Sequence, residues 1–205
     1  MNAAALSMLV SLRRRAIRRL AGAHTRLVGR VLSLAWGFRL GEGATFVGRP
    51  FVRGRDISVG RFCVLDSARF NNPLGSSRPC ILRTYPGGRI SIGDHFAATG
   101  VTIVAASEVV IGDHVTIGAE ASIVDTDFHP IDYRLRLEGA NSKSEVRPVR
   151  IGSHVWIGAR ALVLKGVVLG DRSVVAAGAV VTRSVPPDSL VAGNPARVVK
   201  TYDWS

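Results

Sequence analysis

The segment from Asp125 to Asp132 combines the residue types that acid–base chemistry requires. It has the sequence Asp-Thr-Asp-Phe-His-Pro-Ile-Asp, so that His129 stands among three carboxylates. The imidazole of histidine changes its protonation near working pH, and a carboxylate or carbonyl oxygen can fix its tautomer. His129 is therefore the candidate general base, and Asp125 and Asp127 are its predicted neighbours in an active site.

The other candidate side chains have plainer interpretations. His95, His114 and His154 each follow a Gly-Asp or Gly-Ser pair and share one slot of the sequence, which predicts exposed turn residues. No His/Cys cluster has the spacing of a zinc site, and we expect no metal. Cys63 and Cys80 make no disulfide framework, and Cys63 is predicted to be a buried thiol, which suits a reducing cytoplasm.

A strict period of six residues indicates what positions these side chains. A Gly or Ala usually follows each repeated aliphatic residue, and a second small or branched residue comes four positions later. This period fits neither an α-helix nor a long strand, but it fits short strands with a corner after each, which predicts an all-β, parallel β-solenoid. The clearest aliphatic series is Ile151, Ile157, Val163, Leu169, Val175 and Val181. The same frame recurs at Ile111, Ile117 and Ile123, with weaker copies at Val59 and Ile92.

Two segments interrupt this repeat, at about 66–89 and at 125–148. The second is polar, mixed in charge and contains His129. A long insertion within a regular array is usually functional, because the scaffold does not need it. We expect the solenoid domain at 41–200, with these two insertions, and a short tail at 201–205.

The net charge of +12 is concentrated at the N-terminus. Residues 1–40 contain eight arginines and no acidic residue, which leaves +4 for the rest of the chain. Apolar residues recur there at three- and four-residue steps, which predicts a basic amphipathic helical arm. Such an arm suits an anionic membrane surface, bound through residues 1–38, and a helix docked on the protein fits the pattern equally.

The N-terminal arm also bears on the cellular location of the protein and on whether it binds nucleic acid. Its apolar stretch, Leu6–Leu12, is too short to span a bilayer. No DNA- or RNA-binding module accompanies the charge, and nucleic acid is not an expected partner. We expect a cytoplasmic protein, with the inner face of the membrane as the alternative location.

Four features together resemble the hexapeptide-repeat acyltransferases: the hexads, Asp125–Asp132, Val155–Gly158 and the run from Ala176 to Lys200. Over roughly residues 57–200 the chain is similar to the galactoside and maltose O-acetyltransferases and to acetyltransferases of polysaccharide assembly. The resemblance implies a left-handed parallel β-helix, a homotrimer with active sites between subunits, and acetyl-CoA as the donor. The left hand comes from the resemblance alone, because parallel crossovers are generally right-handed.

The resemblance also implies roles for individual residues. His129 matches the catalytic histidine, which removes the proton from an acceptor hydroxyl. Trp156 matches a tryptophan near the active site, and packing at the trimer interface is its alternative role. The positions that match contacts to the pantetheine arm, adenine and phosphates are Ala159, Ala177, Thr182, Arg183, Arg197 and Lys200.

The acceptor side departs from the family pattern. Residues Ala97–Gly100 contain no Asn ahead of Val101–Val104, and Ala105–Ala106 replaces an acidic pair. The expected acceptor is therefore not a simple galactoside or maltose but a sugar hydroxyl in a polysaccharide, a lipid-linked glycan or a nucleotide sugar. N-acetylation of an amino sugar or antibiotic, a zinc-binding carbonic-anhydrase-like trimer and a non-catalytic scaffold are the alternatives.

Overall fold

The structure is a computed structural model, and it describes residues 27, 31 and 37–204. The predicted basic arm at 1–40 lies outside the described residues, except for Leu27, Val31 and residues 37–40. Strand β1, Arg39–Leu40, pairs in parallel with the strand at Ile57–Val59. The solenoid thus includes two residues that we assigned to the arm from its charge.

Short strands form three sheets that are parallel except at the C-terminal end. The first sheet contains β1, β4 (Ile57–Val59), β7 (Arg89–Ile92), β10 (Glu108–Ile111), β13 (Val149–Ile151) and β16 (Val168–Leu169). The second contains β2 (Thr45–Val47), β5 (Val64–Asp66), β8 (Ala97–Thr99), β11 (Thr116–Ile117), β14 (Trp156–Ile157), β17 (Val174–Val175), β19 (Ser189–Gly193) and β20 (Ala196–Thr201). The third contains β3 (Phe51–Arg53), β6 (Ile81–Thr84), β9 (Thr102–Ala105), β12 (Ser122–Val124), β15 (Leu162–Val163) and β18 (Val180–Val181).

Three consecutive strands, one from each sheet, make one coil of a three-sided solenoid. Coil 1 is β1–β3 and coil 6 is β16–β18, and successive coils stack in register at the strand spacing of about 4.8 Å. The all-β parallel solenoid that the period predicts is thus confirmed.

The hexad residues fill the interior of the solenoid, as the period predicts. All six of the aliphatic series from Ile151 to Val181 are buried, and so are the residues four positions later, from Val155 to Val185. Each fully buried aliphatic side chain contributes about 1.5–3 kcal/mol relative to an exposed one. Cys63 occupies one of these inward slots as a buried free thiol, and burial raises its pKa.

The corner histidines are exposed, as predicted, and they form a column. The rings of His95 and His114 stack at 4.6 Å between centroids, and those of His114 and His154 stack at 4.9 Å. All three adopt left-handed backbone angles, with φ between 56° and 59°. The column follows from the coil stacking, because equivalent corners of successive coils point the same way.

The first interruption is narrower than the predicted 66–89. Strand β6 lies within that range and β7 begins at its last residue, so only the residues between β5 and β6 leave the solenoid. Glu120, at a corner of coil 4, fastens this excursion. Its Oε1 accepts hydrogen bonds from the backbone N–H and the hydroxyl of Ser77, both at 2.6 Å, and Arg160 Nε lies 3.3 Å from its Oε2.

Glu120 predicts an acid-dependent contribution to stability. The hydrogen bond from the Ser77 side chain is the main cause that lowers the pKa of Glu120 to about 2. An unfolded glutamate has a pKa of about 4.3, so this contribution is present above that pH and is lost as the pH falls towards 2. We expect Glu120→Gln to lower the melting temperature at pH 7, and the difference from wild type to shrink between about pH 4.5 and 2.

Thermal unfolding followed by circular dichroism at several pH values measures this difference. Glu138→Gln is the control, because Glu138 is exposed and makes no ion pair within residues 37–204. A melting-temperature difference for Glu120→Gln that stays constant down to pH 2 would contradict the assignment.

The C-terminal end of the solenoid differs from its body. Strand β19 continues the second sheet in parallel, and β20 then folds back antiparallel to it, with Val191 opposite Val198 and Ala192 opposite Arg197. Pro186 and Pro187 stand between coil 6 and β19. Asn194 and Pro195 thus form the turn of a β-hairpin.

Candidate active site

The second interruption is a loop that leaves the solenoid where β12 ends and returns at β13. An isolated antiparallel bridge joins Thr126 to Val146 at its base. The N–H of Arg147 donates to the carbonyl of Asp125 at 2.9 Å. The loop contains helix α1, Tyr133–Leu137, and a 3₁₀ turn at Asn141–Lys143. Its two ends are therefore held together, and its middle is free to project from the coil.

Asp125 anchors this loop to the preceding coil. Its side chain is fully buried, and its carboxylate accepts the backbone N–H groups of Ala106, Ser107 and Glu108 at 2.7–2.8 Å. We predicted Asp125 as a neighbour of His129, and the structure gives it no hydrogen bond to the imidazole. Its contacts instead fix where the loop begins.

Asp127 braces the other side of the loop base. Lys165 Nζ lies 2.9 Å from Asp127 Oδ1 and 3.3 Å from Glu145 Oε2, and the hydrogen bond to Asp127 is the main cause that raises the pKa of Lys165. The carbonyl of Asp127 accepts the N–H of His129 at 2.7 Å. Asp127 thus places the backbone of His129, while its carboxylate faces Lys165.

His129 is oriented by a residue that we did not predict from the sequence. Its Nδ1 lies 2.9 Å from Oδ1 of Asn141, across the loop. When that oxygen accepts a hydrogen bond from Nδ1–H, the lone pair of the imidazole is on Nε2, as a general base requires. The orienting group is therefore an amide carbonyl and not one of the neighbouring carboxylates.

A cleft of about 750 Å³ opens beside this imidazole. We call it the His129 cleft, and it is lined by Arg83, Tyr85, Pro86, Ala106, Thr126, Phe128, His129, Asn141, Ser142, Ser144 and Val146. The loop supplies one wall and the turn after β6 supplies the other. The arrangement can hold a polar molecule against a base that is fixed in one tautomer.

Trp156 lies on another side of the solenoid. It is on β14 in the second sheet, is 57% exposed and does not line the His129 cleft of the same chain. The parallel register places it between Thr116 and Val174 in the neighbouring coils. Within one chain, the structure therefore does not bring together these two predicted site residues.

The predicted cofactor contacts lie in the last coils, on the C-terminal side of the loop. Ala159 and Ala177 occupy equivalent corners of coils 5 and 6, and the Ala159 carbonyl accepts the N–H of Gly178 at 2.8 Å. Within the described chain, no hydrogen bond uses the N–H of Ala159 or Ala177. These two donors can serve a ligand that lies along the corner.

The remaining predicted contacts are exposed. Thr182 and Arg183 follow β18, whereas Arg197 and Lys200 lie on β20. Among the residues that the structure describes, no carboxylate forms an ion pair with Arg183, Arg197 or Lys200. The donor set suits coenzyme A, because unpaired cations bind phosphate groups well and free backbone N–H groups bind amide carbonyls.

Across residues 37–204, no three His, Cys, Asp or Glu side chains converge in a way that could hold a metal ion. In the same part of the chain, no helix has the length and apolar character needed to cross a membrane.

Comparisons with known proteins agree with this architecture. A family described as the hexapeptide repeat of succinyl-transferase matches residues 148–183. Galactoside O-acetyltransferase of Escherichia coli is 39% identical over 115 residues, which cover 56% of this chain and 55% of that protein. The chain thus spans about half the length of the curated relatives that it matches.

Two solved structures extend the similarity over nearly the whole chain. A galactoside acetyltransferase in complex with coenzyme A has a TM-score of 0.60 at 26% identity, covering 94% of this chain and 80% of that one. A hexapeptide-repeat-containing acetyltransferase of Vibrio cholerae, complexed with acetyl coenzyme A, has a TM-score of 0.58 at 26% identity, with coverages of 92% and 88%. By its repeat and its three-sided solenoid, the chain is similar to these hexapeptide-repeat acetyltransferases and has their left-handed parallel β-helix fold.

Proposed function

We propose that this chain is an acetyl-CoA-dependent O-acetyltransferase that modifies a sugar hydroxyl in a polysaccharide, a lipid-linked glycan or a nucleotide-sugar precursor. The observation that carries the proposal is His129, held through Nδ1 by Asn141 at 2.9 Å and lining the cleft at the break in the repeat. The acetyltransferase names of the relatives, and the coenzyme A in two of their structures, support the donor.

In this mechanism His129 moves one proton. Its Nε2 accepts the proton of the acceptor hydroxyl as that oxygen attacks the thioester carbonyl, holds it as imidazolium, and donates it to the departing sulfur. Asn141 keeps Nδ1–H directed away from the reacting atoms throughout. Acetyl-CoA supplies the acetyl group and the thiol leaving group. Proton transfer by a positioned histidine contributes about 10²- to 10⁴-fold to such reactions.

The proposed donor site lies between the loop and the C-terminal hairpin. Ala159 and Ala177 would donate backbone N–H groups to the pantetheine arm. Arg183, Arg197 and Lys200, with Thr182 beside them, would bind the adenine and phosphate end. A backbone N–H is the candidate donor to the developing oxyanion, because Ala159 has no hydroxyl.

A homotrimer is part of the proposal, because Trp156 and His129 do not meet within one chain. An outward row on the second sheet supports it, since this row crosses seven strands without a charged residue. In strand register the row contains Thr45, Val64, Ala97, Thr116, Trp156, Val174 and Leu190. Such a face suits contact with a second solenoid. Analytical ultracentrifugation gives the mass of the assembly, and the mass of a monomer would refute the homotrimer.

Membrane attachment through residues 1–38 is a further part of the proposal, and it depends on their arginines alone. It predicts that deleting residues 1–38 releases the protein from liposomes containing anionic lipid. Equal binding of the full and shortened proteins would leave the arm without a membrane role.

The experiment that tests the proposed function is release of free thiol from acetyl-CoA against a panel of acceptors. The panel contains free sugars, amino sugars, nucleotide sugars and glycan extracts, so that it separates O-acetylation from N-acetylation. Turnover that requires both a hydroxyl acceptor and His129 supports the proposal. Absence of coenzyme A binding would overturn it and favour a scaffold.

Asn141 predicts a second, smaller effect on turnover. We expect Asn141→Ala to lower kcat about 10- to 100-fold, because the imidazole loses the acceptor that fixes its tautomer. Asn141→Asp keeps an oxygen acceptor and should recover most of the wild-type kcat. Steady-state kinetics of the two variants checks this, and equal losses in both would show that Asn141 only supports the loop.

A further inference from the structure

Several arginines on the outer faces of the solenoid form ion pairs with carboxylates on a neighbouring coil. The Nη2 atom of Arg61 lies 2.6 Å from Oδ2 of Asp94, and Nε of Arg172 lies 2.5 Å from Oδ1 of Asp188. The Nη2 atom of Arg150 lies 2.6 Å from Oε2 of Glu108. Each of these contacts joins two adjacent coils, and Arg150 reaches Glu108 diagonally, since its own register partner is Val110. This pattern neutralises charge along the stack.

Arg53 and Arg83 instead lie opposite each other. They are direct register partners on β3 and β6, so adjacent strands about 4.8 Å apart carry like charges side by side. Within residues 37–204 neither forms an ion pair, and the arm at 1–40 contains no acidic residue that could supply one. Like charges directly opposite each other destabilise a sheet unless another group neutralises them.

These two side chains line a groove of about 560 Å³, which we call the arginine groove. Arg55 joins them there, and its carbonyl accepts the hydroxyl of Thr84 at 2.7 Å, so that its backbone is fixed. Asp56 is the one carboxylate in the lining. Three guanidinium groups against one carboxylate leave the groove with a net positive charge.

The arginine groove adjoins the His129 cleft. Arg83, Tyr85 and Pro86 line both, and the Arg83 guanidinium stacks 4.7 Å from the centre of the Tyr85 ring. Arg83 is on coil 2, and the loop that carries His129 leaves at the end of coil 4. Two coils correspond to roughly 10 Å along the solenoid axis, which a phosphorylated sugar can bridge.

We propose that the arginine groove binds a phosphate or diphosphate group on the acceptor, so that the acetylated sugar is a glycosyl phosphate or diphosphate. The proposal rests on the proposed transferase function and specifies its substrate class. Arg53 and Arg83 present paired donors that match phosphate oxygens, and Arg55 adds a third. The proposed coenzyme A contacts lie in coils 5 and 6 and on β20, on the opposite side of His129 along the axis.

Direct binding tests this assignment without requiring turnover. Isothermal titration calorimetry gives the dissociation constants of four probes: inorganic pyrophosphate, UDP-glucose, a farnesyl-diphosphate-linked glucose and free glucose. Coenzyme A is present at a saturating concentration, so that the donor site is filled. We expect Arg53→Gln and Arg83→Gln each to weaken binding of the phosphorylated probes about 10- to 100-fold. Arg49→Gln is the matched control, because Arg49 is an exposed arginine on coil 1, as Arg53 is, and it lines neither the arginine groove nor the His129 cleft.

The outcomes separate this inference from the transferase function. Arginine-dependent binding without any acetyl transfer would refute the transferase and leave the anion site standing. Loss of pyrophosphate binding on adding coenzyme A, or affinities for both phosphorylated sugars that are no higher than that for glucose, would overturn the inference. Tighter binding of either phosphorylated sugar than of glucose supports it, and the tighter of the two identifies a nucleotide or a lipid carrier.

Discussion

Replacing His129 with alanine is expected to lower kcat for acetyl transfer about 10²- to 10⁴-fold while coenzyme A binds as in the wild type. The imidazole is the group that takes the acceptor proton, and no second histidine lines the His129 cleft. The proposed donor contacts lie on other coils and do not depend on this side chain. The substitution therefore separates chemistry from donor binding.

Thiol release gives kcat, and titration with coenzyme A gives its dissociation constant. His95→Ala is the matched control, since it removes an exposed imidazole that does not line the His129 cleft. A full loss of turnover in the control, or a His129→Ala enzyme with wild-type kcat, would remove His129 from the mechanism. A large loss of coenzyme A affinity would instead assign His129 a binding role.

Replacing Asp125 with asparagine is expected to have the largest effect on stability. The carboxylate is completely buried and accepts three backbone N–H groups, two on Oδ2 and one on Oδ1. An amide turns one of these acceptors into a donor that faces N–H groups. We expect a loss of about 2–4 kcal/mol, or a fall of about 5–15 °C in the melting temperature.

Asp113→Asn is the control for this substitution, because Asp113 is exposed and accepts one N–H, that of Asp94 at 2.7 Å, which an amide oxygen can still accept. Thermal unfolding of both variants supplies the comparison. Similar melting temperatures for Asp125→Asn and Asp113→Asn would show that the loop anchor contributes little. The unfolding experiment is independent of catalysis, so it holds whichever acceptor the enzyme uses.

The solenoid could be predicted because its core follows the period of the sequence. Ile151 and Leu169 are register partners 18 residues apart, and so are Ile157 and Val175, which is three hexads per coil. Because each such coil has the same number of residues, the positions of its inward side chains can be predicted from the sequence. The column of corner histidines follows from the same rule.

The contacts around His129 could not be predicted, because irregular chain separates the partners. Asn141 lies 12 residues from His129, on the far side of helix α1. Arg53 and Arg83 are register partners 30 residues apart, since the excursion between β5 and β6 adds residues to that coil. Periodicity shows where the repeat is lost, but side-chain pairing in such segments depends on tertiary structure.

The antiparallel hairpin at the C-terminus limits how molecules can polymerise. An open solenoid end would expose parallel strand edges on which another molecule could add its own coil. Strand β20 runs in the opposite direction and carries Arg197 and Lys200, and Pro186 and Pro187 have no N–H to donate at the preceding corner. Addition of a parallel strand from another molecule is therefore disfavoured at this edge of the second sheet.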